Sequence, residues 1–176
     1  MWVTNDWDSI IPNLVSGNYD TIIAGMSITD DRDAVIDFTT AYYPADPSAF
    51  AALGEVDLAG GVIAAQTGTI QAAHVAEMGA TLLEFATPDE TIAAVKNGEA
   101  DAVFADKFFL APFVEEDADL QFVGDDVVLG KGIGIGVRES DTELKATLND
   151  AIAAMKADGS LATILHKWFP DVSADF

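Results

Sequence analysis

The chain has no cysteine, which excludes a disulfide framework and any metal site built on thiolates. Positive charge is nearly as scarce: 8 Lys and Arg stand against 30 Asp and Glu, for a formal net charge of -22. Nucleic acid needs a basic footprint that this composition does not supply, and an anionic membrane surface is disfavoured for the same reason. The acidity fits a salty milieu or a demand for solubility, and composition does not separate the two. No uninterrupted apolar run approaches the roughly 20 residues of a membrane-spanning helix. Met1-Trp2-Val3-Thr4-Asn5-Asp6 has neither the basic region nor the apolar segment of a signal peptide, so none is expected in this chain.

Catalytic patterns are missing too. His74 and His166 fall in separate predicted helices without a neighbouring ligand pattern, and H-E-x-x-H, calcium-loop spacing and G-x-S-x-G do not occur. Carboxylate pairs abound, but none sits in a sequence setting that would raise a pKa. No catalytic residue, metal or cofactor is expected.

What is present is a sizeable core, since hydrophobic residues make up 50% of 176 positions, enough for one domain or two small lobes. Asn5 or Asp6 is predicted to cap a helix from about Trp7 to Ser16, ended by Gly17. Apolar runs predict strands over Tyr19–Ala24 and Val35–Phe38, and Pro44 and Pro47 hold the stretch after Tyr42 extended. From Phe50 strands and helices alternate. Strands are predicted over Gly61–Gln66, Thr81–Phe85 and Ala102–Ala105, with helices over Ile70–Met78 and from Thr87-Pro88-Asp89-Glu90 to Gly98. A hydrophobic turn or helix start at Phe108–Phe113, an acidic loop at Glu115–Asp119, and strands at Leu120–Val123 and Ile133–Val137 follow. A long helix carries Leu144, Leu148, Ile152 and Met155 on one face, and a last one ends before Pro170. This alternation argues an α/β fold. Gly130-Lys131-Gly132 lacks the spacing of a phosphate loop, and its glycines suit a hinge or close backbone packing.

Gly17–Ala24 and Gly98–Ala105 echo each other: a helix ends on Gly, an Asp follows three residues on, and an apolar run follows that. The echo suggests two similar lobes that present polar groups at the carboxyl ends of strands, where open α/β sheets bind ligands. One run leads into Gly25-Met26-Ser27-Ile28-Thr29-Asp30-Asp31-Arg32, the other into Asp106. Arg32 is one of two arginines in the chain. It can pair at the surface with Asp30, Asp31, Asp33 or Asp37, or its guanidinium can grip a ligand carboxylate through two parallel hydrogen bonds. Thr67-Gly68-Thr69 opens a helix, either as a plain cap or as a donor of free N–H groups to an anion. With Asp106 for an ammonium, these groups describe a site for a zwitterion such as an α-amino acid. Trp7 either packs at a helix start or stacks on the ligand's side chain.

These residues resemble the polar-amino-acid solute-binding proteins of ABC importers, the family-3 extracellular binding proteins. The resemblance rests on Asn5-Asp6-Trp7-Asp8-Ser9-Ile10-Ile11-Pro12-Asn13-Leu14, Tyr19–Ile23, Ser27–Arg32, Asp37-Phe38-Thr39 with Tyr42-Tyr43, Gln66-Thr67-Gly68-Thr69, Asn97–Val103, and Asp158-Gly159-Ser160 with Lys167-Trp168-Phe169, in order along nearly the whole chain. It implies a two-lobed, type II periplasmic-binding-protein-like Venus-flytrap fold, α/β in class. Lobe 1 comprises 1–44 and 132–176, lobe 2 comprises 47–128, and hinge segments lie near 43–47 and 126–132. By the same resemblance Arg32 clamps the α-carboxylate with Gly25 and Ser27, and Thr69 and Ile70 supply further N–H groups. Asp106 takes the α-amino group, Trp7 stacks on the side chain, and Gln66 lies where side-chain contacts are made. A hydroxyl residue is common in the family where this chain has Ile70, so only its backbone N–H can serve.

Family members begin with a strand, helix and strand ahead of the Trp7 helix, so lobe 1 is expected to be truncated at its N-terminus. Weak ligand binding or self-association through the incomplete lobe is the expected consequence. The function implied is capture of a polar or charged L-amino acid in the periplasm or outside the cell and delivery to the membrane subunits of an ABC transporter. The acidity favours a cationic ligand through long-range steering. Two alternatives share the fold: an enzyme like cyclohexadienyl dehydratase, which the lack of an evident general acid disfavours, and a ligand-sensing receptor ectodomain.

Overall fold

A computed structural model describes residues 1–169. A 3-10 turn at Trp7–Ser9 leads into α1 (Ile10–Val15), followed by α2 (Asp30–Asp33), β1 (Asp37–Phe38), β2 (Pro47–Ala52), β3 (Val62–Gln66), α3 (Ile70–Met78), β4 (Thr81–Phe85), α4 (Pro88–Lys96), β5 (Ala102–Asp106), α5 (Lys107–Glu116), β6 (Gln121–Val128), β7 (Gly136–Val137), α6 (Thr142–Ala157) and α7 (Ser160–Trp168). They form two compact units: Met1–Asp8 with Asp46–Leu129, and Ser9–Ala45 with the chain from Gly130 onward. The first eight residues thus group with the central stretch rather than with residues 9–45, and the Trp7 indole, which donates to the Gly68 carbonyl (3.2 Å), ties them there.

The unit holding residues 46–129 is built on a five-stranded sheet in the order β4-β3-β5-β2-β6. β3 runs parallel to β4 and β5, while β2 runs antiparallel to both β5 and β6. Side chains alternate across this sheet as strand geometry requires. Ala49, Ala51, Ala64 and Val103 meet Ile92 and Val95 of α4 and Leu110 of α5 on one face. Phe50, Ala52, Ile63, Ala102 and Phe104 meet Val75 of α3 on the other. Phe50 and Phe104 stack with ring centroids 4.0 Å apart. Alanines on β2 let α5 approach closely, and the stacked phenylalanines fill the opposite side. α4 starts on the capping box foreseen from Thr87 and Glu90, with Pro88 in the first turn.

In the other unit the sheet is minimal: β1 pairs antiparallel with β7. The core joins Ile135 and Val137 to Ile152 of α6 and Leu161 and Leu165 of α7, with Tyr42, Tyr43, Leu144, Leu148 and Met155 packed around them. Residues 131–136 still bond on both sides. Ile22 and Gly136 exchange N–H···O bonds (2.9 and 3.0 Å), Ile28 N–H reaches Gly132 O (2.8 Å), and on the opposite side Tyr42 N–H reaches Ile133 O (2.9 Å).

Several expectations are corrected here. Tyr19–Ala24 is not a strand; Ile22 makes only an isolated bridge to Gly136. Gly25, at φ +67°, turns the chain away before the ladder can extend. The strand expected at Val35–Phe38 shortens to β1, because Val35 and Ile36 spend their N–H groups on the Arg32 carbonyl (both 3.0 Å). The strand expected at Ile133–Val137 likewise shortens to β7. Glu115 and Glu116 close α5 instead of opening a loop. The helix expected from about Trp7 to Ser16 divides into the 3-10 turn Trp7–Ser9 and α1, with Ser9 at the N-cap of α1 making no side-chain cap bond. Close packing explains the later glycines, since a Cβ on Gly132 would stand 2.9 Å from the Ala41 Cβ. Pro170, expected to stop the last helix, lies outside the described residues.

Candidate functional site

The groups picked out from sequence fall in both units. In the smaller-sheeted unit, Gly25 turns the chain into the loop that ends in α2. Thr29 caps α2, its Oγ1 accepting from the Arg32 N–H at 3.2 Å. Arg32 Nη1 donates to the Ser27 carbonyl at 3.0 Å, so the guanidinium is braced by its own loop. A braced fork loses less freedom on gripping a carboxylate than a free one. Of the acids that could have absorbed Arg32 at the surface, Asp30 pairs with Lys131, and Asp37 pairs with Lys145 at 3.0 Å. The Tyr42 phenol is pushed up by burial, and a backbone hydrogen bond with Gly25 opposes the shift.

The other arginine does different work. Arg138 donates to the carbonyls of Leu14 (3.2 Å) and Tyr19 (2.6 Å), and ion-pairs with Asp20 (2.9 Å) and Asp141 (2.8 Å). It is a structural pin that closes off the end of α1.

In the unit built on the five-stranded sheet, the turn Thr67–Thr69 is the centre. Thr69 caps α3: its hydroxyl donates to the Gln66 carbonyl (2.7 Å) and accepts from the Ala72 N–H (3.1 Å). Ile70 is the first helical residue, so its backbone N–H belongs to the positive end of α3. Trp7 lies against the same turn, half-exposed, its indole nitrogen on the Gly68 carbonyl. Gln66, at the end of β3, donates its Nε2 to the Ala86 carbonyl at 3.0 Å.

Asp106 ends β5, half-buried, and stands opposite Ser48 of β2 in the antiparallel ladder. Its Oδ1 accepts from Gln71 Nε2 at 2.7 Å, and the same nitrogen donates to Ser48 Oγ at 3.0 Å. Gln71 and Ser48 were not singled out from sequence. The contact joins residues 35 and 23 positions apart; the packing of α3 on β5 brings Gln71 to Asp106, and the pairing of β2 with β5 adds Ser48. A polar residue two places after a helix cap, facing the core, was the one signal available.

The structure therefore brings Trp7, Thr69, Ile70 and Asp106 around the first turn of α3 in one unit, and Gly25, Ser27 and Arg32 into one loop of the other. Among the described residues no group of His, Asp and Glu is placed to hold a metal ion. No helix among them is long and apolar enough to cross a membrane.

Two units of mixed sheet and helix with these polar loops define an α/β binding protein, and the fold is the two-lobed fold of type II periplasmic binding proteins. The chain belongs to the bacterial extracellular solute-binding proteins, family 3, whose pattern matches residues 1–171. It is similar to a periplasmic His/Glu/Gln/Arg/opine family-binding protein from Silicibacter pomeroyi, solved in complex with lysine. That likeness has 63% identity and a TM-score of 0.95, and covers 98% of this chain and 80% of that one. The L-arginine-binding protein of Pseudomonas aeruginosa is 34% identical over 96% of this chain and 71% of its own length. The ABC transporter arginine-binding protein 1 of Escherichia coli is 32% identical over 93% of this chain and 72% of its own. These relatives are binding proteins.

Proposed function

We propose that this chain captures a polar or charged L-amino acid, with a preference for cationic side chains, outside the cytoplasmic membrane and delivers it to the membrane subunits of an ABC transporter. The observation that carries the reading is Arg32: its guanidinium is braced on the Ser27 carbonyl at 3.0 Å in a chain with almost no cations to spare. Arg32 takes the α-carboxylate with Gly25, Ser27 and the N–H groups of Thr69 and Ile70. Asp106 takes the α-ammonium, and Trp7 and Gln66 meet the side chain. The preference for a cation is supported by the arginine- and lysine-binding relatives and by the net charge of -22. The stretches 43–47 and 126–132, which contain two of the three unit boundaries, act as hinges. Exposed Val15, Ile23 and Val35 in the unit holding Arg32 support self-association there, which sedimentation across a concentration series tests.

The test is a thermal-shift screen over the twenty amino acids. Ligand at about 100 times its Kd stabilises by about 2.7 kcal/mol, enough for a clear shift. Arginine and lysine are expected to lead; no shift with any amino acid overturns the reading. Binding without catalysis is proposed as well, so incubation with a cyclohexadienyl acid such as prephenate is expected to give no turnover.

A further inference from the structure

Gln71 is the second residue of α3, only 5% exposed, and its neighbours on the inward face of the helix are Ala72 and Val75. A carboxamide among such residues costs desolvation free energy unless its hydrogens are used. Here they are used: Nε2 reaches Asp106 Oδ1 at 2.7 Å and Ser48 Oγ at 3.0 Å. An ionised carboxylate only accepts, which fixes the amide with its nitrogen toward Asp106. A helix packed for stability alone would be served by Leu or Met at this place.

A second observation comes from the other side of Asp106. The residue stands at the N-cap of α5, yet its carboxylate makes no capping bond. Asp46 does that work, its carboxylate bonded to the Phe108 backbone N–H. The Asp106 side chain is thereby turned from its own helix toward α3, and Gln71 holds it there. The turn that holds Gln71 is itself fixed by Thr69, which bonds Gln66 on one side and Ala72 on the other.

We propose that Gln71 is a positioning residue for the ammonium site: its buried amide sets the Asp106 carboxylate at a fixed place relative to the head of α3, with Ser48 as the second support. The inference rests on the reading of Asp106 as the partner of the ligand's α-ammonium. Gln71 touches the carboxylate and acts through it, so its effect must appear only with ligands that carry an α-amino group.

The experiment is titration calorimetry on the full chain, comparing wild type, Gln71→Met and Ser48→Ala. The probes are L-lysine against 6-aminohexanoate and L-glutamine against glutaramate, each pair differing only in the α-amino group. Gln71→Met is expected to weaken the amino acids by about 10–100-fold, the size of a hydrogen bond to a charged group, and their des-amino partners by less than about 3-fold. Ser48→Ala is expected to show the same selectivity at about 2–5-fold, and it carries the test if Gln71→Met does not fold. Equal losses for both members of a pair, or no loss, overturn the positioning role while leaving amino-acid binding intact. Wild-type chain that binds none of the twenty amino acids removes the parent reading, and this inference with it.

Discussion

The two arginines show how little residue type says until surroundings are known. Arg138 is spent on the Leu14 and Tyr19 carbonyls and on Asp20 and Asp141, whereas Arg32 is braced on Ser27. Substitution should separate them. Arg32→Lys keeps the charge but loses the fork, and is expected to cost about 2–5 kcal/mol of ligand affinity by calorimetry; near-wild-type binding removes Arg32 from the site. Arg138→Met leaves two carbonyls without their donor, and is expected to cost about 1–3 kcal/mol in urea unfolding. Gly25 tests the backbone of the same loop. It sits at φ +67° with open space where a Cβ would go, so Gly25→Ala pays only the left-handed conformation, about 1–2 kcal/mol by the same measurement. Arg32, Asp106 and Thr69 were legible in the sequence because each follows an apolar run or opens a helix. Gln71 and Ser48 were not, because a contact across two strands and a helix leaves no local pattern.

At the scale of elements, legibility followed local signals. α3, α4 and β4 stand where period and caps put them, and the capping box of α4 is complete. The interior strand β2 was legible only as part of the extended stretch after Tyr42, because Pro47-Ser48-Ala49-Phe50-Ala51-Ala52 is alanine-rich and poor in β-branched residues. It becomes a strand because β5 and β6 flank it and α5 packs over its small residues. Tyr19–Ala24 erred the opposite way: apolar and strand-like, it lacks a ladder to join. Helix ends also carry the pH dependence. Burial raises the Asp46 carboxyl above 3.8, outweighing the Phe108 N–H bond and the nearby Lys107 charge. A carboxyl raised on folding contributes stability below its unfolded pKa and loses it as pH rises through the folded value. Asp46→Asn keeps an acceptor for Phe108 without the buried charge. It is expected to melt higher than wild type at neutral pH, with the advantage gone below about pH 4. An equal difference at all pH values would assign the effect to something other than ionisation.

The whole molecule carries a charge of -22, and its acids far outnumber the ion pairs they could make with 8 cations. Such a charge does nothing to choose the fold, but it acts on stability and on encounter. Self-repulsion loosens the compact state, and salt screens it: the Debye length falls from about 30 Å at 0.01 M to about 3 Å at 1 M. Melting temperature is therefore expected to rise with NaCl over that range. The same field draws a cationic amino acid toward the surface, so salt should act on ligand encounter with the opposite sign. Stopped-flow association of L-arginine is expected to slow as NaCl rises, while that of L-glutamine, without net charge, stays nearly level. The comparison isolates steering from any effect of salt on the protein, because both ligands present the same α-carboxylate and α-ammonium. If the two association rates fall together, the acidity serves stability and solubility alone, and the proposed preference for cations has to be sought in contacts to the side chain.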